Sequence, residues 1–427
     1  MPRLSIVLAA TAAALILFAA ALVVEHDRTT SGRPGGPGGP IALPPPPQRG
    51  PSVWTTPVSQ LSPHPRSDMW SERLIRFGQL DRTTDWVLGT GIGQDGNDYS
   101  VGLVELSTAN SEHRVRRKTM FAGYFNIEPE DAVPFNTEWR PSDGKDGFLV
   151  VEDAATGREW DYWNISFPGH QREFNDSRDC QNGENAPPPL GVGFDASSDL
   201  CAASAMIITA PDGTVADMRT YRGNFPGAGG GGLPNGPGLV RPSEVAAGAI
   251  RHAWKLATNN TMTGPECDNA EREDPSAFGV TCGSAVAPAG IFERVAEQGT
   301  PESIGQSVPE GMRFSIDLTD DEIGSWLDDR GFEGRLRETA HIMATSLRDY
   351  GWFLVDSSPV GAVLPLAGGA NEDTAEAWRS LGLDETSGSL LHGLFREGRI
   401  VTWEVPTNRC ADGTSSAWHC WAAEIDY

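Results

Sequence analysis

Hydrophobic and polar positions alternate in short runs through the first half of this chain. Val101–Leu106 (VGLVEL), His113–Met120 (HRVRRKTM), Gly147–Glu152 (GFLVVE) and Ala205–Ala210 (AMIITA) have the length and residue types of strands. Val115 lies between Arg114 and Arg116, as on a half-buried strand. Asp153–Gly157 (DAATG) and Pro211–Gly213 (PDG) carry hairpin-turn chemistry. Gly147–Trp163 therefore reads as a strand, a tight turn and a second strand, EWDYW. Strand character returns at Trp352–Val355 and Arg399–Val405.

Helical signals are fewer. Gly232–Ala257 (GLPNGPGLVRPSEVAAGAIRHAWKLA) puts a Gly/Pro-rich turn before a helix predicted over Pro242–Ala257. Pro242 and Ser243 open it, and Glu244 suits the positive end of its dipole. Thr319–Arg330 opens with TDDE, an N-cap and acidic first turn, and stops at Gly331. Leu336–Tyr350 carries apolar Ile342, Met343 and Leu347 and ends at Gly351. Many short strands with a few inserted helices predict a mainly β fold, a β-sandwich or jelly roll, in place of a doubly wound α/β sheet. No internal boundary divides residues 51–427, so one extracellular domain is expected there.

The N-terminal segment changes the picture. Arg3 is followed by Leu4–Val24, which carries no charge. Such a run can cross a hydrocarbon core of about 30 Å. It reads as an uncleaved anchor, or as a signal peptide cut near Ala19 and Ala21, within residues 1–28. Residues 29–50, with RPGGPGGP and PPPP, form a linker. Both alternatives export the remaining chain, secreted or tethered to the membrane only through this segment. Six cysteines fall into close pairs, Cys180/Cys201, Cys267/Cys282 and Cys410/Cys420. Nearest-neighbour disulfides are expected; no zinc spacing appears, so no metal is expected on them.

The formal net charge is −25, and only Lys118, Lys145 and Lys255 supply lysine. This acidity argues against nucleic acid or an anionic lipid surface as partner. HExxH, P-loop and GxSxG motifs are absent. GTGIGQDG (89–96) reads as a turn, and no cofactor is expected; Asp95–Asp98 (DGND) offers oxygen ligands that could bind calcium, but acidic turns are common without it.

The candidate chemistry gathers at EWDYW and at the Gly/Pro turn. Alternation puts Trp160 and Tyr162 on one face and Asp161 and Trp163 on the other. An indole can stack on a sugar ring while a carboxylate binds hydroxyls or moves a proton. The plain alternative is a core Trp beside a solvent-facing Asp. Asp146, in SDGKDG, could reach the same face. Glycoside hydrolysis usually uses two carboxylates, and Asp161, Glu244 and Asp146 are the candidates. His252 would stand about two helical turns beyond Glu244. In a lyase His252 would take a proton beside a uronate carboxylate that Arg241 neutralises. The alternative is a histidine satisfied within the core. A surplus of 13 Trp over 6 Tyr fits glycan contact or a large β core equally.

Four stretches in order, SDGKDGFLVVEDAATGREWDYW, GLPNGPGLVRPSEVAAGAIRHAW, VPEGMRFSIDL and TSLRDYGWFLVDSS, resemble a largely uncharacterised group of secreted bacterial proteins, frequent in actinobacteria. The resemblance spans about Pro134–Ser358. It implies a lectin-like or jelly-roll sandwich and an association with extracellular polysaccharide. Asp146, Asp161, Trp163, Arg241, Glu244 and His252 match its recurrent polar positions, with Asp161 where Glu is frequent. The leading expectation is an exported glycoside hydrolase or polysaccharide lyase acting on a cell-wall or extracellular polysaccharide. Asp161 and Glu244 would be the acid/base pair, supported by Asp146 and His252. Trp163, Arg241 and Tyr162 would contact substrate. The rivals are a non-catalytic cell-wall or glycan-binding surface protein, and a structural surface protein whose polar residues only hold loop to helix.

Overall fold

In the computed structural model, the strands are β1 (Trp86–Gly89), β2 (Val101–Glu105), β3 (Ser111–Arg117), β4 (Ala132–Phe135), β5 (Leu149–Asp153), β6 (Arg158–Trp163), β7 (Leu200–Ala202), β8 (Ser204–Ile207), β9 (Trp254–Thr258), β10 (Arg313–Ile316), β11 (Trp352–Ser357), β12 (Ala362–Pro365), β13 (Ala367–Gly368) and β14 (Ile400–Trp403). The α-helices are α1 (Ser67–Gly78), α2 (Pro242–Ala246), α3 (Asn269–Glu273), α4 (Pro301–Gln306), α5 (Asp320–Asp329), α6 (Gly334–Asp349) and α7 (Glu372–Ser380). The structure describes residues 52–78, 80, 86–92, 99–117, 126–127, 131–142, 146–167, 200–208, 217, 227, 229–262, 265–289, 301–358, 361–368, 372–396 and 398–405. All belong to one unit, Leu43–Tyr427. The Leu4–Val24 segment, the 29–50 linker, Asp95–Asp98 and Pro211–Gly213 lie outside the described residues. Among the described residues no helix is long and apolar enough to cross a membrane.

The fold is mainly β with a few helices, as expected, in three mixed sheets. Their orders are β1-β12-β9-β11-β10-β14, β13-β2-β5-β6-β8 and β4-β3-β7. Pairs β1/β12, β9/β11, β13/β2, β2/β5 and β3/β7 run parallel.

The β5/β6 hairpin forms where the sequence predicts it. Gly157 takes a positive φ of 73° and donates its N–H to Asp153 O at 2.7 Å. The Asp153 carboxylate accepts from Ala155 N at 3.0 Å, which closes the turn. Register then sorts the faces. Leu149 opposite Tyr162 and Val151 opposite Trp160 enter an apolar cluster with Phe135 and Ile165. Val150 opposite Asp161 and Glu152 opposite Glu159 take the other face.

The six-stranded sheet divides similarly. Trp254, Leu256, Trp352, Leu354 and Phe314 enter the largest apolar cluster, with Trp70, Trp326 and Trp378. Phe353 and Val355 join a smaller cluster with Trp54 and Leu233, where they meet Met206 of β8 in the other sheet. Among the described side chains, only Trp163 and Trp403 of the tryptophans are not buried. Most of the Trp surplus therefore builds core.

The helix expected over Pro242–Ala257 is corrected. It ends at Ala246, because Gly248 adopts φ 86° and its N–H returns to Val245 O at 3.0 Å. The chain then extends into β9, which pairs with β11 at Trp254↔Trp352. Helices α5 and α6 agree with expectation, and Thr319 and Glu322 make the reciprocal cap of α5. Cys267 and Cys282 form the expected disulfide. Cys201 is disulfide-bonded too, while Cys180, Cys410 and Cys420 fall outside the described residues. Cys267, Glu271 and Cys282 lie close together, but the disulfide consumes the thiolates a metal would need.

Candidate functional site

The Gly/Pro-rich segment before α2 is pressed onto carboxylates from both larger sheets. Asn235 N donates to Asp161 Oδ2 at 2.9 Å, and Gly236 N donates to Glu159 Oε1 at 2.8 Å. Gly230 N donates to Asp356 Oδ2 at 3.1 Å, after the β-bulge in β11. The approach is close at two glycines. A Cβ on Gly236 would stand 2.2 Å from Glu159 Oε2, and one on Gly230 would stand 2.0 Å from Asp356 Oδ1. Backbone donors of one segment thus reach three acids, of which Glu159 and Asp161 are buried.

Lys255 of β9 enters from the six-stranded sheet and donates to Asn235 Oδ1. Burial lowers its basicity, against the pull of Asp161, Asp356 and Glu159. Burial also pushes the Glu159 carboxyl well above the usual range, and Asp161 two residues along the same face adds to this. The Glu159–Asp161 pair consequently favours keeping a proton.

A second group flanks the first. Arg241 pairs with Glu152. Desolvation opposes the Arg241 charge, but Glu152, Glu244 and Glu159 outweigh it and raise its pKa. Glu244 Oε2 accepts from Arg241 N at 3.0 Å and lies 3.2 Å from His252 Nε2. His252 Nδ1 faces Ala253 O, an acceptor, at 2.8 Å. His252 thus sits between a backbone carbonyl and the Glu244 carboxyl, both ring nitrogens within hydrogen-bond reach of oxygen.

The structure brings Arg241, Glu244 and His252 together, although His252 lies beyond the helix. Asp161 sits with Glu159 and Asn235. Both expected acid/base carboxylates are buried, Asp161 at 0% and Glu244 at 4% exposure. Tyr162 is fully buried in the apolar cluster on the opposite face of β6 from Asp161, which removes it from ligand contact there. Asp146 and Trp163 meet each other, with Trp163 Nε1 donating to Asp146 Oδ1 at 3.4 Å. Tyr99 lies beside them: burial, then the Asp146 charge, raises its phenol pKa. An open cleft of about 590 Å³ lies elsewhere, between α2, α5 and α6, lined by Val245, Leu327, Ile342, Arg335, Arg337 and His341 among others. Neither Asp161 nor Glu244 lines it.

Sequence reasoning missed Glu152, Glu159, Asn235, Lys255 and Asp356. Period-two spacing from Asp161 could have found Glu159. Lys255, a rare lysine between Trp254 and Leu256, was the other available signal.

A pH prediction follows from Glu159. Its folded pKa is raised, so the folded state binds more protons than the unfolded chain above the ordinary value of 4.5. Glu159 contributes stability that is full below that value and is lost as pH rises through the folded pKa. Glu159→Gln should flatten this dependence. Urea midpoints measured from pH 4.5 to 7 test it, and an unchanged slope would count against the assignment.

Comparison of the chain with protein-family models, with curated proteins and with solved structures gave no match.

Proposed function

We propose that the chain is an exported glycan-binding protein on a β-sandwich, held at the cell surface or released from it. This reading prefers the binder over a hydrolase or lyase working through Asp161 and Glu244. The observation that carries it is the contrast between two carboxylate settings. Asp161 and Glu244 are buried and hydrogen-bonded inside the protein. Asp146 is only partly buried, against the partly exposed Trp163 and Tyr99. An aromatic face beside an acceptor carboxylate suits a sugar, whose C–H face stacks while its hydroxyls donate. The Cys267–Cys282 disulfide accords with an oxidising compartment. The sandwich reading rests on Met206 and Phe353, which bring the two larger sheets into one apolar cluster.

Calorimetric titration of the full chain with a panel of cell-wall and extracellular polysaccharides tests the proposal. Binding without release of reducing ends or unsaturated products is expected. Trp163→Ala should weaken it roughly tenfold or more, which is ~1.4 kcal/mol. Turnover that disappears in Asp161→Asn and Glu244→Gln would restore the hydrolase or lyase reading. No binding to any member of the panel would overturn both.

A further inference from the structure

Lys255 and Asn235 form an unusual buried pair. They are 3% and 1% exposed. Lys255 Nζ donates to Asn235 Oδ1, while Asn235 Nδ2 has no hydrogen-bond partner among the described residues. Trp54, Leu233 and Phe353 supply buried apolar surroundings. Gly238 gives the lysine stem room, since a Cβ there would lie 2.5 Å from Lys255 Cγ and 2.4 Å from the Trp54 ring. Asp161 holds Asn235 by its backbone N–H at 2.9 Å, and Glu159 holds the next N–H at 2.8 Å.

As a simple hydrogen bond this pairing is costly. A charged ammonium carries three donors, and the neutral amide oxygen offers it little compensation for lost water. An amine of lowered basicity seated on an amide group, with a proton-holding carboxyl pair nearby, has chemistry open to it. We propose that Lys255 and Asn235 become joined by an intramolecular isopeptide bond, formed autocatalytically beside the Glu159–Asp161 pair.

The step balances without an oxidant or an added reactant. Neutral Lys255 Nζ attacks Asn235 Cγ, forming the C–N bond, and the carbonyl oxygen takes a proton from the carboxyl pair. The carboxylate so formed accepts a proton from Nζ. The carbonyl re-forms, the Cγ–Nδ2 bond breaks, and Nδ2 leaves as ammonia with one added proton. An amine and a primary amide become a secondary amide plus ammonia. The lowered basicity of Lys255 and the raised pKa of Glu159 suit these roles. The product would tie β9 to the Gly/Pro segment that packs on β6. It goes beyond glycan binding and stands or falls independently of it.

Mass spectrometry of the reduced, denatured full chain tests this. The expected intact mass is lower than the sequence mass by one ammonia. A tryptic digest should contain a branched peptide joining Asn235 to an uncut Lys255. Lys255→Met and Asn235→Ala should each abolish the deficit. Asp161→Asn, which retains both reacting residues, should abolish or greatly slow it. Should these variants fail to fold, the wild-type digest decides alone. Asn235–Gly236 could also lose ammonia by closing on the Gly236 nitrogen, although Glu159 engages that N–H. A deficit on a linear peptide, or normal cleavage after Lys255 with no deficit, overturns the proposal.

Discussion

An Arg241→Met chain is expected to lose about 3–5 kcal/mol of stability, the range for breaking a buried ion pair from one side. Methionine retains much of the apolar stem, so the expected cause is charge and not a cavity. Arg241 pairs with Glu152, and their side chains are only 14% and 20% exposed. Removing the guanidinium leaves Glu152 near Glu159 and near Glu105. The Glu105 carboxyl is already raised, by burial first and by Glu152 and Asp153 besides. Urea-denaturation midpoints would measure the loss. The double variant Arg241→Met/Glu152→Gln should recover most of it, because the stranded charge is then gone. A single variant within about 1 kcal/mol of wild type would show the pair to behave like an exposed one.

Gly236→Ala should be more damaging, at more than about 4 kcal/mol or with no folded protein recovered. The added methyl would meet the Glu159 carboxylate at 2.2 Å and Glu152 Oε1 at 3.0 Å. Neither acid can simply swing away. Glu159 is held by the Gly236 N–H and Glu152 by Arg241. Gly324 is the control, since a methyl there meets nothing within 4 Å. Circular dichroism and the denaturation midpoint would separate the two. A Gly236→Ala protein as stable as wild type would mean that the segment is not clamped as described.

Local chemistry made part of this molecule readable. The β5/β6 hairpin follows from a turn sequence between alternating strands. Helix α5 follows from a Thr/Glu cap and a terminal glycine. The 242–257 segment misled because AAGAIRHAWKLA has good helical propensity. Its fate depends on Gly248 and on β11, about a hundred residues away, which pairs with Trp254–Thr258. Parallel pairing leaves no comparable local mark. The site was half readable. Polar residues at Asp161, Arg241, Glu244 and His252 stand out in the sequence, but their burial does not. Glu159 looked like an ordinary strand residue and Lys255 like a residue of the predicted 242–257 helix until two sheets brought them to one place.

One further feature is mechanical. Residues near the two ends of the described chain clasp one another. His64 N donates to Thr402 O at 2.8 Å, and Glu404 N donates to Ser62 O at 2.9 Å. Thr402 N also donates to Ser67 Oγ at 2.9 Å, and Ser71 Oγ meets Thr402 Oγ1 at 3.0 Å. A tensile load applied at residues 61 and 405 enters through this clasp first, whereas one applied at residue 52 meets Trp54, whose carbonyl accepts from Ala253 N at 2.7 Å beside the lysine, before it meets the clasp.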